Sequence, residues 1–157
     1  MELDKDFKEF VELLNDNQVE YLIVGGYSVA HHGFPRYTGD FDVWINPTSL
    51  NSKKMMAVLE QFGFGSLGIT EKDFLHPDKI VQFGVEPLRI DVITAIDGIG
   101  KFSDAYENKD MVTYEKLNIN FIGYQDLITN KKASNRLQDQ RDVKELEKIK
   151  LKEKKQQ

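Results

Sequence analysis

The 157-residue chain contains no cysteine. That excludes a disulfide framework, a thiolate metal site and a cysteine nucleophile. No apolar run is long enough to cross a bilayer, and the opening MELDKDFKEF is not the pattern of a signal peptide. No membrane association is expected, and a cytoplasmic location follows by default. Positive charge is also short: 21 Lys and Arg against 26 Asp and Glu give a formal net charge of −5. An extended surface for duplex nucleic acid is therefore not expected. The deficit is uneven, because residues 144–155, KELEKIKLKEKK, are basic and read as a solvated helix face. Histidine is scarce. His31 and His32 are adjacent and His76 stands apart. Without a thiolate or a second histidine pair, they read as packing at a helix end rather than as zinc ligands or acid–base groups.

What is present fits a soluble globular protein, with 40% hydrophobic and 30% charged residues. The length suits one domain over residues 1–150, including C-terminal helices at 124–150, followed by a frayed lysine-rich tail at 151–157. No internal repeat is present. Phe7, Phe10, Val11 and Leu14 have helical spacing, with Asp4 and Asp6 at the helix start. Asn46-Pro47 signals a helix start with proline at the first helical position; Met55, Val58, Leu59 and Phe62 continue it and Gly63 closes it. Residues 64–78 are irregular. Residues 79–83 and 88–94 read as a hairpin, 111–114 and 117–122 as further strands, and 124–135 and 136–150 as helices. The fold class is α/β (α+β), with a mixed, mainly antiparallel sheet and helices packed against it.

Residues 21–45, YLIVGGYSVAHHGFPRYTGDFDVWI, organise the rest. Tyr21–Val24 is a continuous apolar run, as a strand covered on both faces requires. Gly25 and Gly26 end it, and a short helix is expected from Tyr27 or Ser28 to Gly33. Asp40 and Asp42 then alternate with Phe41, Val43 and Ile45, so the carboxylates share one face and the apolar side chains the other. An Asp-x-Asp alone carries little weight; Asp4-Lys5-Asp6 is one, and helix capping explains it. Here a third carboxylate, Asp91, sits in the apolar strand LRIDVIT, with Arg89 on its face. Three neighbouring carboxylates repel one another and call for a cation. All-oxygen ligands suit Mg²⁺ or Mn²⁺, and a pair of such ions serves phosphoryl chemistry. Gly25, Gly26 and Ser28 offer backbone N–H groups at a helix start for phosphate oxygens.

Gly25-Gly26, Asp40-Phe41-Asp42 and Ile90-Asp91-Val92 together resemble the signature of the polymerase-beta-type nucleotidyltransferase superfamily. Ala30, His32, Gly33, Arg36, Thr38, Asp40 and Asp42 are similar to the pattern of its small bacterial members, which include toxin–antitoxin and abortive-infection proteins. Lys131, Arg136, Asp139 and Asp142 resemble their C-terminal helix. The resemblance implies a nucleotidyltransferase fold and transfer of a nucleoside monophosphate from an NTP to a hydroxyl acceptor, releasing pyrophosphate. Asp40 and Asp42 would hold two metal ions; Asp91 would ligate one of them and assist deprotonation of the acceptor. Gly25, Gly26 and Ser28 would contact the triphosphate, with Arg36, Thr38 and Lys131 as auxiliary contacts. Arg136, Asp139 and Asp142 form either ion pairs or substrate contacts. Where relatives often have serine and glycine, this chain has Gly26 and Asn135, and its 157 residues are not expected to have room for a large substrate-recognition domain. The acceptor class stays open among protein, RNA and small molecule. A toxin–antitoxin component acting through a partner protein and an inactive nucleotide-binding module are the alternatives.

Overall fold

The computed structural model describes residues 3–156. Met1 and Glu2, at the start of the expected domain, and Gln157, at the end of the expected tail, lie outside the described residues. In chain order the elements are α1 (Lys5–Asp16), β1 (Tyr21–Val24), α2 (Gly25–His31), β2 (Asp40–Ile45), α3 (Ser49–Phe62), β3 (Val81–Phe83), β4 (Arg89–Ile93), α4 (Phe102–Glu107), β5 (Asp110–Tyr114), β6 (Leu117–Phe121), α5 (Tyr124–Ser134) and α6 (Leu137–Lys155).

The strands form one sheet in the order β3-β4-β2-β1-β6-β5. β3–β4, β2–β1 and β6–β5 pair antiparallel, whereas β4–β2 and β1–β6 pair parallel. The sheet is thus mixed and mainly antiparallel, as the strand patterns predict. Alternation along the strands divides the core into two layers. Phe41, Val43 and Ile45 of β2 join Tyr21 and Ile23 of β1 in a layer with Phe7, Phe10 and Leu14 of α1 and Met55 and Val58 of α3. Phe7 stacks on Phe41, with ring centroids 4.7 Å apart. On the other face Leu22, Val24 and Trp44 pack with Phe102 of α4, Leu127 and Ile128 of α5 and Leu146 of α6. Asp40 and Asp42 alternate with Phe41 and Val43, so they project on the second side, at the end of β2 where that layer begins.

Three local features differ from the sequence expectation. α2 begins at Gly25 itself, not at Tyr27 or Ser28, because Gly25 adopts φ +68° and turns the chain at once. Pro47 precedes α3 instead of opening it: Thr48 is the N-cap and accepts from the Asn51 N–H. α6 continues to Lys155, past the expected end at residue 150, because nothing between interrupts its run of helix-forming Lys, Leu and Glu. Gly63 closes α3 with φ +95°, as predicted. Within the irregular segment, Glu71–Phe74 forms a short 3₁₀ turn that buries Phe74. Among the described residues no helix is long and apolar enough to cross a membrane.

Candidate active site

The parallel pairing of β2 with β4 assembles the carboxylates. Its register sets Asp42 opposite Asp91 and Asp40 opposite Arg89. One oxygen each from Asp40, Asp42 and Asp91 lies within 4.8 Å of the other two. Asp91 is buried, and Asp40 and Asp42 are half-buried. Burial, a hydrogen bond with Asp40 and the charges of Asp40 and Asp91 push the Asp42 carboxyl up to about 8. Burial also raises Asp91, against the opposing pull of Arg89.

Arg89 is the site residue to which the sequence pattern gave no role, although alternation put it on the face of Asp91. Its Nε and Nη2 donate to Asp91 Oδ1 and Oδ2 at 3.0 and 3.1 Å. Nη2 also lies 3.4 Å from Asp40 Oδ2. A planar fork of this kind matches a carboxylate pair. Arg89 therefore supplies part of the positive charge that the cluster requires.

α2 presents its first turn to this cluster. A Cβ on Gly25 would stand 2.1 Å from Asp42 Oδ2, and one on Gly26 would stand 2.5 Å from Thr38 Oγ1. Both glycines are thus required by close approach, and Gly25 by its positive φ as well. Ser28 is fully buried and its hydroxyl donates to the Gly25 carbonyl at 2.7 Å, so it braces the turn and faces no cleft. Thr38 donates to the Asp40 carbonyl at 3.2 Å, tying the preceding loop to β2.

Arg36 and Lys131 lie in a buried ion network. Arg36 Nε and Nη2 donate to the two oxygens of Asp142 at 2.8 and 2.9 Å. Lys131 Nζ lies 3.1 Å from Asp139 and 3.2 Å from Asp142, both of which are fully buried. Hydrogen bonds from Arg136 and Lys131 outweigh burial and hold Asp139 down at about 2; Arg36 and Gln138 do the same, in direction, for Asp142. Asp139 and Asp142 thus act as the anions that join α5, α6 and the Arg36 loop. Arg136 bonds Asp139 through Nε at 2.9 Å, yet its side chain is 77% exposed. With Gly25, Asp42, Lys79, Thr94 and Lys131 it lines a cleft of about 530 Å³. A second cleft, about 670 Å³, opens beside Tyr27, Tyr37, Thr38 and Tyr114. Burial and the charges of Asp4 and Asp40 raise the Tyr27 hydroxyl, so this second cleft feels Asp40 of the cluster. Trp44 packs under the site, its ring 5.0 Å from that of Phe102. Its buried Nε1 has no partner among the described residues.

The fold has relatives among solved structures. A candidate nucleotidyltransferase from Thermotoga maritima superposes with a TM-score of 0.57 at 11% identity, covering 93% of this chain and 91% of its own. The lincosamide antibiotic adenylyltransferase LnuA, in its lincomycin-bound crystal structure, superposes with a TM-score of 0.57 at 14% identity, covering 94% and 98%. No curated protein matches the sequence. A family model does, across residues 1–152, and the chain belongs to that family, the nucleotidyltransferases of unknown function DUF6036. It is a nucleotidyltransferase enzyme with the mixed α/β fold of that class.

Proposed function

We propose that the protein transfers a nucleoside monophosphate from an NTP to a hydroxyl acceptor in a reaction dependent on Mg²⁺ or Mn²⁺. The observation that carries this reading is the convergence of Asp40, Asp42 and Asp91 within 4.8 Å, with the Gly25 backbone pressed against Asp42. Three carboxylates offset by one guanidinium form a hard, anionic oxygen donor set that suits divalent magnesium or manganese. Asp40 and Asp42 would hold two ions and Asp91 one of the same pair; bound there, the metals supply charge neutralisation for the phosphates and a more acidic acceptor hydroxyl.

The chain's own groups supply the rest. The Asp91 carboxylate accepts the acceptor's proton, the acceptor oxygen bonds to the α-phosphorus, and the bond from that phosphorus to its bridging oxygen breaks to release pyrophosphate. Gly25 lets the first turn of α2 close on Asp42, and Gly26 lets it close on Thr38, so that the turn fronts the carboxylates. The network of Arg36, Lys131 and Arg136 against Asp139 and Asp142 carries one surplus positive charge beside Asp42. Its exposed member, Arg136, faces the 530 Å³ cleft, the proposed place of the triphosphate. Arg36, Lys131, Thr38 and Ser28 then act by holding the loop, helix and turn in position. Positioning of this kind is a large part of catalysis in phosphoryl transfer.

For the acceptor we favour a hydroxylated small molecule, supported by the tyrosine-lined 670 Å³ cleft and by the lincomycin bound to LnuA. An NTP-consuming reaction fits the cytoplasmic location expected from the sequence. The test is incubation with radiolabelled NTPs, Mg²⁺ or Mn²⁺ and acceptor panels, scoring pyrophosphate release and labelled product. Mass gain on a co-purifying protein would instead favour the toxin–antitoxin alternative. Metal-dependent NTP binding with no turnover on any acceptor would favour an inactive binding module. Unchanged turnover in Asp42→Asn would falsify the assignment of the site.

A further inference from the structure

We propose a second metal site, for zinc, formed by His31 and His32 at the end of α2 and Asp110 at the start of β5. Each of the three offers a ligand atom, and these atoms lie within 4.8 Å of one another. The site is separate from the Asp40–Asp42–Asp91 cluster and shares no residue with it. Two imidazoles and a carboxylate are a donor set zinc accepts, with the fourth position left to water.

The surroundings hold both imidazoles in place. His32 Nε2 faces the Ile122 carbonyl at 2.8 Å, so that nitrogen carries the proton and donates. The tautomer leaves Nδ1 with a free lone pair, the arrangement by which outer-shell carbonyls prepare a ligating histidine. The His31 ring is fixed by stacking on Phe121, with centroids 4.1 Å apart and planes 6° from parallel. Its Nε2 meets Asp110 Oδ2 at 2.6 Å. Asp110 is 49% exposed and His31 15%, so an ion has a path in. Zinc bonds of about 2.0–2.1 Å place tetrahedral ligands roughly 3.3 Å apart. The 2.6 Å contact of His31 Nε2 with Asp110 Oδ2 is shorter than that, so zinc binding requires the exposed Asp110 side chain to turn and open it.

A zinc ion there would clamp α2 to the edge strand β5. The other end of α2 is Gly25, against Asp42, so the clamp would stiffen the helix that fronts the active site.

The test uses the full chain, stripped with EDTA and titrated with Co²⁺ and then Zn²⁺. The expected result is one strong tetrahedral Co²⁺ absorption band, displaced by one equivalent of Zn²⁺. Zinc should also raise the melting temperature, on the order of 5 °C at saturating metal. Asp110→Asn and His31→Gln should lower Zn²⁺ affinity by more than the roughly 10–100-fold typical of a lost outer-shell partner. Asp110→Asn alters an exposed side chain, and its metal-free melt checks that the fold persists. Asp91→Asn should leave the band intact, separating this site from the carboxylate cluster. Absence of a tetrahedral band in wild type, a band unaffected by both ligand variants, or a band lost in Asp91→Asn would each overturn the proposal in favour of a plain His–Asp pair.

Discussion

Gly25 and Asp42 are in such close contact that a single added methyl group would stand 2.1 Å from the carboxylate oxygen. Gly25 also holds φ +68°. Gly25→Ala should therefore cost about 1–2 kcal/mol through the left-handed backbone. It should also displace Asp42, and a misplacement of about 1 Å near reacting groups lowers turnover about 100-fold. Comparing melts with turnover separates the two effects. Full activity in a folded Gly25→Ala protein would show that the approach to Asp42 is dispensable.

The carboxylates predict a pH dependence with two limbs. Folding raises the Asp42 carboxyl from 3.8 to about 8, so over that range the folded chain keeps a proton the unfolded chain has lost. The stability this confers is full below about pH 4 and is lost as pH rises through about 8. Asp139, held at about 2, behaves oppositely: its contribution is complete above about pH 4 and disappears as pH falls toward 2. Thermal melts in EDTA across pH should show both limbs. Asp42→Asn should flatten the alkaline limb alone, and Mg²⁺ should offset it in wild type. An alkaline decline of the same size in Asp42→Asn would assign it elsewhere.

Arg89 competes with any metal for Asp91 and Asp40. Arg89→Gln should leave the three carboxylates less compensated, lowering the metal-free melting temperature. The same change should enlarge the stabilisation by Mn²⁺ and strengthen Mn²⁺ binding several-fold by calorimetry. Weaker Mn²⁺ binding in Arg89→Gln would mean that the guanidinium prepares the site instead of competing for it.

Lys131 is the buried cation between Asp139 and Asp142. Removing one partner of a buried ion network typically costs about 3–5 kcal/mol, because the remaining charges stay desolvated. Lys131→Met should fall in that range by urea denaturation. Combining it with Asp142→Asn should cost less than the sum of the single changes, because the two groups interact directly. Strict additivity would rule out direct coupling.

Much of the site was legible because it follows strand alternation. Asp40 and Asp42 between Phe41 and Val43, and Asp91 between Ile90 and Val92, could be placed on polar faces before any pairing was known. The parallel register that brings Asp42 opposite Asp91 could not be read. It depends on how α3 and β3 return the chain, not on any local pattern. Arg36 illustrates the same boundary. Its position before Thr38 and Asp40 suggested phosphate, yet its fork is filled by Asp142, 106 residues away. Ser28 looked like a ligand because it follows two glycines, but starting α2 at Gly25 turned its hydroxyl back onto the Gly25 carbonyl. Trp44 shares the carboxylate face of β2 by alternation, and it packs against Phe102.

The partnership of Arg36 with Asp142 also has a bearing on how the protein is born. A ribosome delivers β1, α2 and β2 early, but β1 stays open on one side until β6 arrives to pair Ile23 with Phe121. Arg36 waits longer, since its counter-ion emerges 106 residues later. At about 5–20 residues per second the delay is roughly 5–20 s. During that interval the carboxylate strand exists without the buttress that sets its loop. Competence should therefore arise abruptly, when α6 docks, so that an incomplete nascent chain spends no nucleotide.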